Sequence, residues 1–130
     1  MKKVYIGALG ALILVGCVIA IAYITLADHH KELRHQTQAQ LLQAIPGTAT
    51  AELRARGVTL SQPLNCWSMA GATPKKMRVA CAGKTIRAER IQVIGAAESK
   101  VQEEYFTILV DGRPLVQNAG CLGTDCHAKD

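Results

Sequence analysis

Val4 to Ala27 is an uninterrupted apolar run, VYIGALGALILVGCVIAIAYITLA, with no charged residue in 24 positions. A bilayer's hydrocarbon core is roughly 30 Å thick and about 20 helical residues cross it, so this run is long enough to span a membrane with some tilt. The remaining residues then make a small domain held on one side of that membrane. Lys2, Lys3 and the free amine precede the run, whereas Asp28, Lys31, Glu32 and Arg34 on its other flank cancel. The positive-inside rule puts the N-terminus in the cytoplasm and the remainder outside, as a single pass through the cytoplasmic membrane. The expected organisation is a signal anchor at 1–27, a helical stalk at 28–47, an extracytoplasmic α+β domain at 48–118 and a disulfide-closed tail at 119–130.

The same run carries a second reading. Leu14-Val15-Gly16-Cys17 has the form of a lipobox, a branched apolar residue and a small residue before cysteine, and two lysines stand upstream. On that reading residues 1–16 are a lipoprotein signal and Cys17 is the lipidated residue. Val18 to Ala27 stays apolar, however, where a signal peptide's apolar core ends after 7–15 residues, and this favours the uncleaved anchor. The pairs Gly7/Ala11 and Gly16/Ala20 are small residues four apart, the spacing at which membrane helices approach closely. A homodimer through the anchor or stalk is therefore among the expectations.

Residues 28–130 hold four cysteines, Cys66, Cys81, Cys121 and Cys126. An even number in a domain of this size suits an oxidising compartment. Large aromatic side chains are scarce, Trp67, Tyr105 and Phe106 in the outer domain, so a modest core gains from crosslinks. The net charge of +5 is unevenly placed. Eight Lys/Arg and one acid, Glu89, lie between Arg54 and Arg90, against three basic and six acidic residues from Glu98 to Asp130. Lys75, Lys76, Arg78, Arg87 and Arg90 form the candidate partner surface; the plainer reading is that they are solvated outer faces of strands. Nucleic acid is not an expected partner, since Trp67 alone makes no stacking platform.

Asp28 to Ile45 lacks Gly and Pro and places Leu33, Leu41, Leu42 and Ile45 broadly on one side, which predicts a helix ended by Pro46-Gly47. Thr48 to Arg56 reads as a second, short helix with Gly57 past its end and Ala49 and Leu53 facing a sheet. Val58 to Leu60, Leu64 to Met69, Met77 to Cys81 and Thr85 to Ile94 read as β structure. Met77, Val79 and Cys81 alternate with Arg78 and Ala80, so Cys81 faces the core, and a hairpin brings Cys66 to it. In the next strand Ile86 and Ala88 share one parity and Ile91 and Val93 the other, which a bulge near Glu89-Arg90 would reconcile. Gly95 to Gln102 reads as a polar connection. Asp111-Gly112 between apolar strands signals a two-residue hairpin, setting Ile108 opposite Leu115 and Thr107 opposite Val116. Cys121 and Cys126 can close a small loop through Gly123-Thr124, although four cysteines allow three pairings.

Chemistry-bearing motifs are few. Cys121-Leu-Gly-Thr-Asp-Cys126-His127 is similar to the longer C-x-x-x-x-C-H variant of c-type haem attachment, with His127 as axial ligand and Met69, Met77 or a membrane-proximal His on the other side. A disulfide followed by a stray histidine explains the same residues. Zinc at Cys121, Cys126 and His127 lacks a suitably spaced second pair. His29, His30 and His35 form a titratable or metal-binding collar near the membrane, or simply polar residues at its boundary. No G-x-S-x-G, H-E-x-x-H, phosphate-binding glycine loop or C-x-x-C occurs, so no catalytic residue, metal ligand or cofactor is expected.

From Ala51 to about Gly95 the order is helix, strand with Cys66, strand with Cys81, further strand. With the apolar N-terminus this resembles small membrane-anchored cell-envelope domains of unknown function in actinobacteria, in which two cysteines pair adjacent strands. The resemblance covers about a third of the chain and implies the Cys66–Cys81 pair but no activity. The expected fold is α+β, with an N-terminal transmembrane helix and stalk, then one short helix on an antiparallel sheet of about five strands with two disulfides. The expected function is a non-enzymatic accessory or binding module for a protein partner in the envelope. The alternatives are a small c-type haem electron carrier and an assembly factor lipidated at Cys17.

Overall fold

The structure, a computed structural model, describes residues 12–23 and 33–126. The chain divides into two units, 1–31 and 32–130. In the first, residues 12–23 are helical (α1), all of them exposed, and Cys17 is a free thiol there. Among the described residues no helix is long and apolar enough to cross a membrane. The two ends of the expected span, 4–11 and 24–27, lie outside the described residues, as do Gly7, His29, His30 and the first part of the expected stalk.

The second unit is an α+β domain. Its helix α2 covers Gln38–Ala55, and five strands come after it: β1 (Asn65–Ser68), β2 (Lys76–Lys84), β3 (Arg90–Glu98), β4 (Glu103–Val110) and β5 (Arg113–Ala119), then a 3-10 turn, Gly123–Cys126. The strands form one antiparallel meander in chain order.

α2 replaces both helices expected around Pro46-Gly47. Thr37 caps it, its Oγ1 accepting the Gln40 N–H at 3.1 Å. At the other end the Gly57 and Val58 N–H groups donate back to Arg54 and Leu53, and Gly57 takes a positive φ, which closes the helix as a Schellman motif. Between them Leu41, Ile45, Ala49 and Leu53 fall every fourth residue and are all fully buried. The stripe crosses Pro46 unbroken. A proline inside a helix costs about 3 kcal/mol through the lost hydrogen bond and the ring's clash. Burying Leu41, Ile45 and Leu53 gains roughly 1.5–3 kcal/mol each, so packing wins. Thr48 and Thr50 turn their hydroxyls back to the Ala44 and Pro46 carbonyls at 3.1 and 2.6 Å. The expected stop at Pro46-Gly47, with a stalk and a short helix on either side, is thus corrected to one helix of 18 residues.

α2 lies on one face of the sheet. The inward residues are Met77, Val79 and Cys81 on β2, Ile91, Val93 and Ala97 on β3, Phe106 and Ile108 on β4, and Val116 on β5, all buried. Gly95 sits in this row because nothing larger fits: a Cβ there would overlap Ile45 Cδ1 and press on Phe106. Cys66 stands opposite Cys81 in the register, and the two are bonded. Cys121 and Cys126 form the second disulfide.

Three strand expectations are corrected. Residues 85–89 are a turn and not the start of a strand. Thr85 Oγ1 accepts from the Arg87 and Glu89 N–H groups, and Ala88 takes φ 64°. The break in parity is this turn, so no bulge is needed, and β3 runs on to Glu98 through the residues expected to be a connection. Val58 to Leu60 contributes only an isolated bridge, Leu60 to Thr85. The hairpin at Asp111-Gly112 forms, with positive φ at both residues. Its register then shifts: Leu109 faces Pro114, but Ile108 faces Val116 and not Leu115. The extra residue turns Val116 into the core, 6% exposed, and leaves Leu115 half out.

The tail is part of the core. Leu122 is 1% exposed, and the Gly123 N–H donates to Glu52 Oε2 of α2 at 2.9 Å.

Candidate functional site

Period-2 alternation gives each strand a second set of side chains, on the face away from α2. The register aligns them across the sheet. Trp67, Ala80, Ile94 and Thr107 form one row. Arg78, Ala96 and Tyr105 form the row beside it, and Ala82, Gln92 and Leu109 the row on the other side. Trp67, Ile94 and Tyr105 are 45%, 40% and 42% exposed. Trp67 and Tyr105 stand on strands three spacings apart, roughly 14 Å. Ala80, Ala82 and Ala96 keep the floor between them low, so the face is a shallow apolar platform with an aromatic ring at either side.

Local bonds fix this face. The Cys66–Cys81 bond locks the neighbouring pair on the inner side, which commits Trp67 outward. Beyond the end of β1 the Gln38 carboxamide stands in for a strand: its Nε2 donates to the Arg78 carbonyl at 2.7 Å and its Oε1 accepts the Arg78 N–H at 3.1 Å. The edges themselves are blunt. β1 has four residues, and β5 carries Pro114 and two register shifts. Strand addition by a partner is poorly served by either edge, so the open face is the broader surface on offer.

The five cations expected to act together fall into two groups. Lys75, Lys76 and Arg78 lie at one end of β2; Arg87, in the β2–β3 turn, and Arg90 lie at the other, with Lys84. Eight residue steps of strand separate Lys76 from Lys84, roughly 27 Å. The row of Trp67, Ala80 and Ile94 lies between them, with Arg78 itself in the flanking row of Ala96 and Tyr105. Arg90 is fixed by its main chain, whose N–H donates to Asp111 Oδ1 at 2.7 Å. Glu98 and Glu103 share the cross-strand row of Lys76. The Tyr105 hydroxyl donates to Glu103, and that bond, with slight burial and the nearby Glu103 and Glu98 charges, raises the phenol's pKa above the ordinary 10.0.

The remaining candidates are dispersed. Cys121 and Cys126 are joined to each other, and His127 lies outside the described residues. Met77 is buried under α2, while Met69 lies past the end of β1. Among the described residues no group of three or more His, Cys, Asp or Glu could hold a metal ion. His35 is not on an exposed collar: it is 8% exposed, against β4. Sequence reasoning missed the platform although its signal was present. Trp67, Ile94 and Tyr105 are large apolar or aromatic residues on the parity that the core does not use. No family model matches the chain, and no curated protein or solved structure matches it either.

Proposed function

We propose that this chain is a non-enzymatic binding module of the cell envelope, held at the cytoplasmic membrane by its apolar N-terminus with the domain outside, and that it engages a protein partner through the open face of the sheet. The single observation that carries this is the platform of exposed Trp67, Ile94 and Tyr105 over half-buried Ala80 and Ala96, on a sheet whose other face is filled. Scattered apolar residues on a surface are ordinary, whereas neighbouring ones on a crosslinked sheet mark a contact surface. Lys76 and Arg78 at one end and Lys84 and Arg90 at the other suit a partner with an apolar centre and an acidic fringe, the arrangement that sets register and speeds encounter.

Two disulfides support the oxidising side of the membrane. The haem alternative requires two free thiols at Cys121 and Cys126, and their pairing favours the crosslink. The lipoprotein alternative keeps the exposed Cys17 thiol as its attachment point and places the domain in the same compartment.

A photoreactive amino acid at position 94, in the full-length chain in its own membranes, tests the reading. A discrete adduct with a second protein is expected, its yield falling severalfold when Arg78 and Arg90 are both replaced by Glu. The same probe at exposed Gln43 on α2 should give none. Adducts with lipid, adducts with a second copy of this chain, or equal yields from the two positions would overturn it.

A further inference from the structure

On β2 the buried Met77, Val79 and Cys81 alternate with Lys76, Arg78, Ala80, Ala82 and Lys84, so the outward row is small in its middle and cationic at both ends. The neighbouring strands stand taller. Trp67 on β1 and Ile94 on β3 flank Ala80, and Asn65 and Gln92 flank Ala82. Trp67 and Ile94 belong to strands two spacings apart, roughly 10 Å. Toward Arg78 the β3 side drops to Ala96, and Tyr105, one strand further, becomes the wall. β2 is thus the bed of a trough wide enough for one row of side chains. Arg90 pairs with Lys84 at one end. At the other, the Gln38 carboxamide holds both main-chain groups of Arg78.

We propose that a single amphipathic helix of the partner lies in this trough, along β2, with acidic residues at its two ends meeting Arg78 and Lys84. The proposal rests on the reading of the open face as a protein-contact surface and names the element that fills it. Backbone chemistry selects a helix. Strands bond one another in the plane of the sheet, so the face offers no main-chain partners. An extended segment laid on it leaves its own N–H and C=O groups unpaired, whereas a helix arrives with them bonded. The inner face shows the same fit. There α2 seats a stripe of every fourth residue, with Ile45 against Gly95, the low point of its row. Ala80 and Ala82 set a comparable low line on the outer face, and an i, i+4 ridge of side chains can enter it between Trp67 and Ile94. Six residue steps separate Arg78 from Lys84, roughly 20 Å, a distance that about 13 helical residues cover. The matching helix therefore carries an apolar stripe of three to four turns between two carboxylates. A helix with basic ends would meet like charges at both, which makes the cations a filter as well as an attraction.

Photoreactive residues at position 92 and, in a second chain, at position 105 test this in the full-length protein in its own membranes. The two positions line the same side of the trough in rows four residue steps apart, roughly 14 Å. Mapped by mass spectrometry, their adducts should fall on one partner segment about seven to eleven residues apart, the interval over which a helix advances that far and returns to one face. An interval of about four residues is that of an extended segment and overturns the helix while leaving the protein-contact reading in place. Adducts on segments unrelated in sequence do the same. Adducts with lipid, adducts with a second copy of this chain, or none at either position overturn both. Ala82→Phe fills the exposed bed and should cut the yield from position 92 severalfold. Leu109→Phe, in the same row but two strands from β2, should leave that yield unchanged; equal losses from the two variants would overturn the trough.

Discussion

Ile94 and Ile108 are the same residue on neighbouring strands of one sheet, and they have opposite fates. Ile108 points toward α2 and is fully buried; Ile94 points away and is 40% exposed. Around Ile108 the sheet carries Val79, Val93, Phe106 and Val116, large side chains that interlock with the α2 stripe. Around Ile94 it carries Ala80, Ala96 and Thr107, small side chains that interlock with nothing. The two faces share a backbone and a register. Their difference lies wholly in side-chain volume and company, and it separates what holds the domain together from what it can present to another molecule.

The largest expected effect breaks the inner face. Ile108→Ala opens a cavity beneath α2 and should cost about 2–5 kcal/mol in denaturant unfolding. A cost under about 1 kcal/mol would mean that α2 is not firmly seated there. Ile94→Ala on the other face removes the same atoms from a site with no covering layer. It should cost about 1 kcal/mol or less, and should reduce crosslinking from a probe at Thr107 far more than it reduces stability. The smallest effect concerns charge. Tyr105 holds its proton to higher pH than a free tyrosine, because ionisation breaks its bond to Glu103 and sets anions side by side. The contribution is present below the ordinary tyrosine range and fades as pH rises through the raised value. Glu103→Gln should bring the phenol back toward the ordinary range in an ultraviolet titration. An unchanged titration would show that Glu103 does not govern it.

Much of the inner face is legible in the sequence. Met77, Val79 and Cys81 alternate cleanly, Asp111-Gly112 has only one economical conformation, and both cysteine pairs lie at spacings that a hairpin or a short loop can close. α2 is half legible. Its stripe of Leu41, Ile45, Ala49 and Leu53 reads as two pieces, because local propensity at Pro46 argues for a stop and only tertiary burial argues against it. The turn at 85–89 imitates a strand because Ile86 and Ala88 carry strand-like residues on a path set by the Thr85 hydroxyl. The shift at Leu115 has no local cue, since it is set by which of two neighbours fits against Ile108. The open face is hidden for a different reason. Counted along the chain, the cations from Lys75 to Arg90 form one block, but β2 carries the two ends of that block roughly 27 Å apart. His35 carries no cue at all, since its partners lie on β4 and in the tail.

The burial of Leu122 has a consequence for how the chain comes into being. A ribosome makes α2 before any strand and the tail after all of them. Each strand can pair with the one just made, because the meander joins only neighbours, and local pairings of this kind form comparatively fast. α2 cannot be sealed so early. One side of it waits for β3 to supply the space above Gly95, and another waits for Leu122 and the Gly123 N–H, which come after β5. The first-made element of the domain is therefore the last to be closed, and its apolar stripe is the surface that a chaperone would meet on the unfinished chain.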